Sequence, residues 1–251
     1  MGAVISPSCY THLYQRRTPL QWAAKKGGLA MVEFLLERGA APGALICEHL
    51  TALDFALMND HEECVMPMLE KGTRSKLETF LNKAVRFGQS GIVCLLLEKG
   101  MDVDIKGLDG RTVLQNALMV YKNHHVLKEL LKSRVGAEGR TFDRRTALHY
   151  AAHLGNEEIV RLLLANGANA SAKDITGFRP LHSAAGAWAA YFECRKDLVE
   201  NRLRIIGLLL EKGAQVSNTN VFGWNALDYA RCLRNVGNHW RIVSLLEQKQ
   251  D

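Results

Sequence analysis

The chain repeats itself. Thr146–Ala168 reads TALHYAAHLGNEEIVRLLLANGA, and six other segments align to it, opening at Thr18, Thr51, Thr79, Thr112, Arg179 and Asn225. The first of these is TPLQWAAKKGGLAMVEFLLERGA. The Arg179 and Asn225 segments start as RPLHSAAGAW and NALDYARCLR and resume at Ile205 and Ile242. Successive openings lie 33, 28, 33, 34, 33 and 46 residues apart. A period of this size points to small units that bury their apolar faces against their neighbours.

One unit shows why. Thr146 stands before an apolar stretch, where its hydroxyl can accept an unpaired N–H of a helix start. Leu148, Ala151 and Ala152 have the three-to-four spacing of one helix face, and small alanines allow close helix approach. Gly155 is placed to end that short helix in the left-handed conformation. Ile159, Val160, Leu162, Leu163 and Leu164 predict a second, more buried helix closed by Gly167. Residues 169–177 are polar and rich in turn formers, which fits a projecting hairpin.

The period near 33 together with TPLQ, TALH and RPLH at the openings resembles the ankyrin repeat, over residues 15–247. The resemblance is strongest in the fifth unit, specific in the first and third, and weaker in the others. It implies an all-α solenoid of about seven helix-turn-helix units with hairpin loops, starting near 16, 49, 77, 110, 144, 177 and 223. We expect a loose tail at 1–14, a single array over 15–251 and an insertion at 189–201. The resemblance also implies that His149 and His182 are structural hydrogen-bonding residues between repeats.

The pattern breaks in four places. The second-to-third spacing is short, so the hairpin there is expected to be missing. Pro67 falls inside the second helix of the second unit, removes a backbone donor and should kink or loosen it. The fourth unit has Tyr121 where the helix-ending glycine usually sits. The insertion AAYFECRKDLVEN, without glycine or proline, lengthens the sixth unit, and Arg234–Asn238 the seventh. Residues 189–201 fit either a binding loop or a helix lengthened by drift.

Residue chemistry points away from catalysis. No nucleophile elbow, phosphate loop or kinase motif is present. His149 and His153 are four apart on one helix, yet lack the glutamate or cysteine companions of a zinc site, so no metal or cofactor is expected. The six cysteines form no CxxC pair, and Cys64 and Cys94 occupy apolar helix positions as buried thiols. The net charge of +6 is spread along the chain without interleaved aromatics, so no nucleic acid is expected. No apolar run is long enough for a membrane span. Met1-Gly2-Ala3-Val4-Ile5-Ser6 loosely fits an acylation signal, but Pro7 follows the serine and disfavours it.

The resemblance implies that first helices and hairpins line a concave groove, with positions four and seven after each opening facing it. The candidate partner-binding residues are therefore Trp22, Lys25, Phe55, Met58, Lys83, Arg86, Asn116, Met119, Tyr150, His153 and Tyr229, with Trp188 and Tyr191 from the insertion. Tyr150 and Tyr229 fit packing along neighbouring helices as well as binding. We expect a monomeric, non-catalytic scaffold or adaptor of the cytoplasm or nucleus. Its partner would be another protein, and Lys25, Lys83 and Arg86 favour an acidic stretch on it. The alternatives are a targeting segment of a larger enzyme assembly and a lipid-anchored adaptor. If Pro67 loosens its helix, amide hydrogen exchange over residues 60–76 should outpace that of the other second helices, as mass spectrometry would show.

Overall fold

The computed structural model describes residues 17–44, 50–71, 74–101, 106–107, 110–120, 124–132, 138–186, 196–233 and 238–250. The expected N-terminal tail, Gly2, Trp188 and Tyr191 lie outside them. The regular secondary structure of the described residues is helical, apart from one isolated bridge between Lys106 and Thr112. The chain divides into two compact units, Met1–Asp102 and Val103–Asp251.

In the first unit the helices are α1 (Pro19–Lys26), α2 (Leu29–Glu37), α3 (Ala52–Met58), α4 (Val65–Glu70), α5 (Arg74–Phe87) and α6 (Ser90–Glu98). Helix α1 packs on α2 and on α3, α2 packs on α4, and α3 packs on α5. First helices thus stack on first helices and second on second. Ala24, Ala56 and Ala84 are fully buried in this stack, where larger side chains would hold the helices apart.

The second unit continues the scheme with α7 (Val113–Leu118), α8 (His124–Lys132), α9 (Ala147–Leu154), α10 (Glu157–Ala165), α11 (Pro180–Ala185), α12 (Lys196–Glu211), α13 (Ala226–Cys232) and α14 (Trp240–Glu247). Helices α7, α9, α11 and α13 form one layer, and α8, α10, α12 and α14 the other. Leu148, Ile159, Leu163 and Leu181 are among the fully buried side chains that join them.

Helix starts follow the sequence logic. Thr18, Thr51, Thr112 and Asn225 each accept the backbone N–H three residues on, at 3.2, 3.3, 3.3 and 3.0 Å. Helix α9 ends at Gly155, which adopts φ 70°. In the second repeat Asp60 stands at the same place with φ 60°, a conformation that aspartate tolerates better than most side chains.

The irregular repeats resolve differently from one another. The third repeat has no cap at Thr79, because α5 begins at Arg74 and runs through that position. The helix occupies residues that a hairpin connection would have used. Pro67 does not break its helix: Glu62–Cys64 form a 3-10 turn, and the α-helix starts only at Val65. That places the proline in the first α-helical turn, where an absent N–H costs least. The six-residue α4 compares with nine in α2 and α6. The described end of the insertion, residues 196–201, is helical and extends α12 to 16 residues. Replacing Pro67 with alanine should change stability by no more than about 1 kcal/mol in urea unfolding. A gain of several kcal/mol would mean that the proline strains the helix.

Candidate protein-binding surface

A single side chain, three residues after each repeat opening, ties most repeats to the next. Gln21 accepts the Thr18 N–H at 2.9 Å and donates to the carbonyls of Ala44 and Leu50, at 3.0 and 3.3 Å. Gln115 does the same with the Thr112 N–H and the carbonyls of Gly139 and Arg145. His149 accepts the Thr146 N–H through Nδ1 at 3.1 Å, and its Nε2 lies 3.2 Å from the Phe178 carbonyl. His182 repeats this between the Arg179 N–H and the Trp224 carbonyl. Both nitrogens of each ring are occupied by backbone, so these histidines are not free to ligate a metal. Among the described residues no group of His, Cys, Asp and Glu could hold a metal ion.

Asp54 is too short for this double reach. It accepts the Thr51 N–H with one oxygen, and the other meets Lys83 Nζ at 2.5 Å. Lys83 is therefore part of the repeat interface as well as a candidate groove residue. Its partner carboxylate is buried, so removing the lysine would strand a charge.

The hairpins of the second unit share one turn. The N–H groups of Gly107, Thr141, Asp174 and Asn220 donate to the carbonyls of Arg111, Arg145, Phe178 and Trp224 at 2.8, 3.0, 2.9 and 2.9 Å. Side chains brace the turns from within. Asp174 Oδ1 accepts from Thr176 and Phe178, and Asn220 Oδ1 accepts from Phe222 and Trp224. Burial pushes the Asp174 carboxyl upward, but these bonds and Arg145 outweigh it and hold it below the usual range. Adjacent tips join directly, Ile175 N–H to the Asp143 carbonyl at 3.0 Å and Val221 N–H to the Thr176 carbonyl at 2.9 Å.

The predicted groove residues divide by burial. Trp22, Met58, Arg86 and Met119 are exposed. Lys25, Lys83, Tyr150 and His153 are half-buried. Phe55, only 7% exposed, and Asn116 are buried, so neither offers a surface. Phe55 is covered by the Arg17 guanidinium, 4.9 Å from its ring centre and 5.1 Å from that of Trp22. Lys25 lies 5.8 Å from the Trp22 ring, and Arg111 the same distance from Tyr150. Tyr229 sits edge-on to Phe178 and His182 and against Trp224, and its hydroxyl accepts from Asn220 at 2.8 Å. The packing role weighed for Tyr229 is the one these contacts describe. Burial of the His153 ring, then Arg202 and Arg145, lower its pKa. Cys64 is buried, and burial, then Glu63 and Glu33, push its thiol up, so it is a poor nucleophile.

Sequence reading passed over the hairpin tips. Phe142, Ile175, Val221 and Phe222 are 74%, 60%, 67% and 71% exposed. The signal was present: TFDRR, DITGF and NVFGW each carry an apolar residue directly after the turn-opening Thr141, Asp174 or Asn220.

The ankyrin-repeat family model, in three copies, matches residues 5–79, 81–174 and 114–205. The chain belongs to the ankyrin-repeat family. It is 29% identical over 180 residues to the B-cell lymphoma 3 protein homolog of Mus musculus, covering 68% of this chain and 40% of that protein. It is 25% identical over 228 residues to palmitoyltransferase AKR1 of Lachancea kluyveri, covering 86% of this chain and 29% of that enzyme. The chain thus spans less than half the length of these curated relatives. The ankyrin repeat domain of Bcl-3 superposes with a TM-score of 0.72 at 21% identity, over 92% of this chain and 99% of that one. Ankyrin repeats are in general protein-interaction modules that present extended surfaces. No helix among the described residues is long and apolar enough to cross a membrane.

The bridging histidines make stability depend on pH. Burial holds the His149 imidazole at about 4, against an ordinary 6.5, and the Phe178 carbonyl and Asp174 only partly oppose it. His182 is lowered for the same reason. The unfolded chain therefore binds more protons between those values, and stability falls as pH drops from about 6.5 to about 4. His149 accounts for roughly 3 kcal/mol of that loss. Gln21 and Gln115 make equivalent bonds without titrating, so His149→Gln should keep the fold near neutrality and flatten the pH dependence of the urea midpoint.

Proposed function

We propose that this chain is a non-catalytic scaffold that captures another protein on the first-helix faces and hairpins of its repeats. The observation that carries the reading is the sorting of residues at equivalent positions. Stacking absorbs Phe55 and Asn116, whereas Trp22, Met58, Arg86 and Met119 remain exposed although they are bulky. Large side chains left open on a well-packed scaffold are candidates for binding hot spots. Lys25 and Arg86 favour an acidic stretch on the partner, because opposite charge raises the encounter rate and fixes register. Membership of a family of interaction modules supports the same reading. We place the protein in the cytoplasm or nucleus, as a monomer.

A second reading is that the chain is the targeting part of a larger enzyme assembly. It is supported by a relative named as a palmitoyltransferase, only 29% of which this chain covers. The lipid-anchored alternative rests on Gly2, which lies outside the described residues.

Trp22→Ala combined with Met58→Ala is the direct test, since both side chains are exposed. Affinity capture with the intact chain should yield a defined partner. The double variant should hold it about tenfold less tightly while the helical circular dichroism stays unchanged. A partner captured equally by both would remove the first-helix face from the reading. Phe55 is unsuited to this test, because its replacement would disturb packing.

A further inference from the structure

We infer that the hairpin tips of the second unit form a docking strip for an acidic, apolar segment of another protein. The inference rests on the scaffold reading and deepens it, naming which hairpin residues dock and adding apolar groups to the acidic partner chemistry. Phe142, Ile175, Val221 and Phe222 project from three successive hairpins. Because the Ile175 and Val221 N–H groups bond to the neighbouring tips, these side chains belong to one connected edge. A row of bulky apolar groups in water on an otherwise polar rim marks an interaction surface.

The charges along the strip select its occupant. Asp174 is buried and paired with Arg145 at 3.2 Å, and Asp143 lies 3.6 Å from the same guanidinium. Arg140 is 3.7 Å from Glu138. Arg144 and Lys173 are exposed beside Phe142 and Ile175 in sequence, with no carboxylate partner among the described residues. The strip therefore offers apolar contact flanked by unneutralised positive charge. A second copy of the chain would set like charges against each other. An anionic bilayer would meet the Asp143 and Glu138 carboxylates on the same edge. An extended segment can set its few acidic residues against Arg144 and Lys173 and its large apolar ones elsewhere along the edge, keeping negative charge off those carboxylates as a continuous anionic surface cannot.

One position carries a further sign. The fourth residue of each hairpin turn is left-handed: Gly110, Gly177 and Gly223 have φ of 71°, 75° and 77°. The fifth repeat places Arg144 there, with φ of 61°. Arginine is strained in a conformation that glycine adopts freely, so the fold alone would favour glycine at this site. The strained cation stands two residues from the most exposed of the tip side chains.

Selection of a random peptide library on the intact chain tests the inference. Enriched peptides should combine aspartate or glutamate with leucine, isoleucine or phenylalanine. They should bind about tenfold more weakly to a Phe142→Ser, Phe222→Ser variant that keeps its helical circular dichroism. Arg144→Gly should weaken them several-fold while raising the urea midpoint, an opposition that a purely structural arginine would not show. Enriched peptides that are basic or uncharged, or that bind the tip variants as tightly, would overturn the strip. So would loss of binding in the Trp22→Ala, Met58→Ala variant alone, which would leave the scaffold reading intact. Peptides that never enrich would count against both readings. Phosphatidylserine vesicles that retain the intact chain but not the tip variant would replace the protein segment with a membrane. Self-association abolished by the same variant would replace it with a second copy.

Discussion

The hydrogen bond that leaves one repeat and enters the next is the interaction on which this protein depends. A helix pair of this size cannot bury its own apolar faces, and apolar packing alone would let neighbouring pairs slide. At Gln21, Gln115, His149 and His182 the side chain three residues after the opening prevents that. It accepts an N–H of its own helix start and donates to a carbonyl across the interface, so local capping and stacking register are set by one group. Glutamine and histidine both have an acceptor and a donor at the right separation. That is why Gln21, Gln115, His149 and His182 are interchangeable in geometry, though only the histidines titrate.

Asp54 shows what happens when the reach fails. A carboxylate cannot donate, and it is one bond shorter than glutamine. Lys83 supplies the donor from the following repeat and neutralises a charge that would otherwise be buried alone. The same repeat has a late-starting second helix and is followed by one whose first helix begins early, at Arg74. The irregularities of the second and third repeats thus accompany a change in how the two are joined. In the second unit the carbonyl acceptors follow or flank braced hairpins, such as Phe178 after Asp174 and Trp224 after Asn220. The brace that orders each turn also presents the carbonyl to the bridging histidine. Rigid hairpins are a consequence, and their tips can carry side chains that the fold does not need.

Much of this was legible in the residues. The period, the caps at Thr18, Thr51, Thr112 and Asn225, the left-handed Gly155 and the inter-repeat role of His149 all follow from local chemistry or from the family pattern it resembles. Trp22, Met58, Arg86 and Met119 stand exposed where the repeat pattern located a surface. Phe55 occupies the same pattern position as Trp22, yet it is buried, because burial there depends on what the neighbouring repeat and Arg17 bring across it. Pro67 shows the same limit: a proline in an apolar run reads as a break until the helix start is known. Starting the helix at Val65 makes it harmless.

Sequence by itself determined the repeating unit, its helix ends and the lack of a recognisable catalytic motif, because these rest on contacts within a few residues. Only the tertiary structure decided which equivalent positions remain open to a partner. It also decided that Lys83 serves an interface, and that Phe142, Ile175, Val221 and Phe222 share one edge. Those outcomes depend on groups about thirty residues or more apart in the chain. Their meeting is set by stacking, which no single repeat encodes.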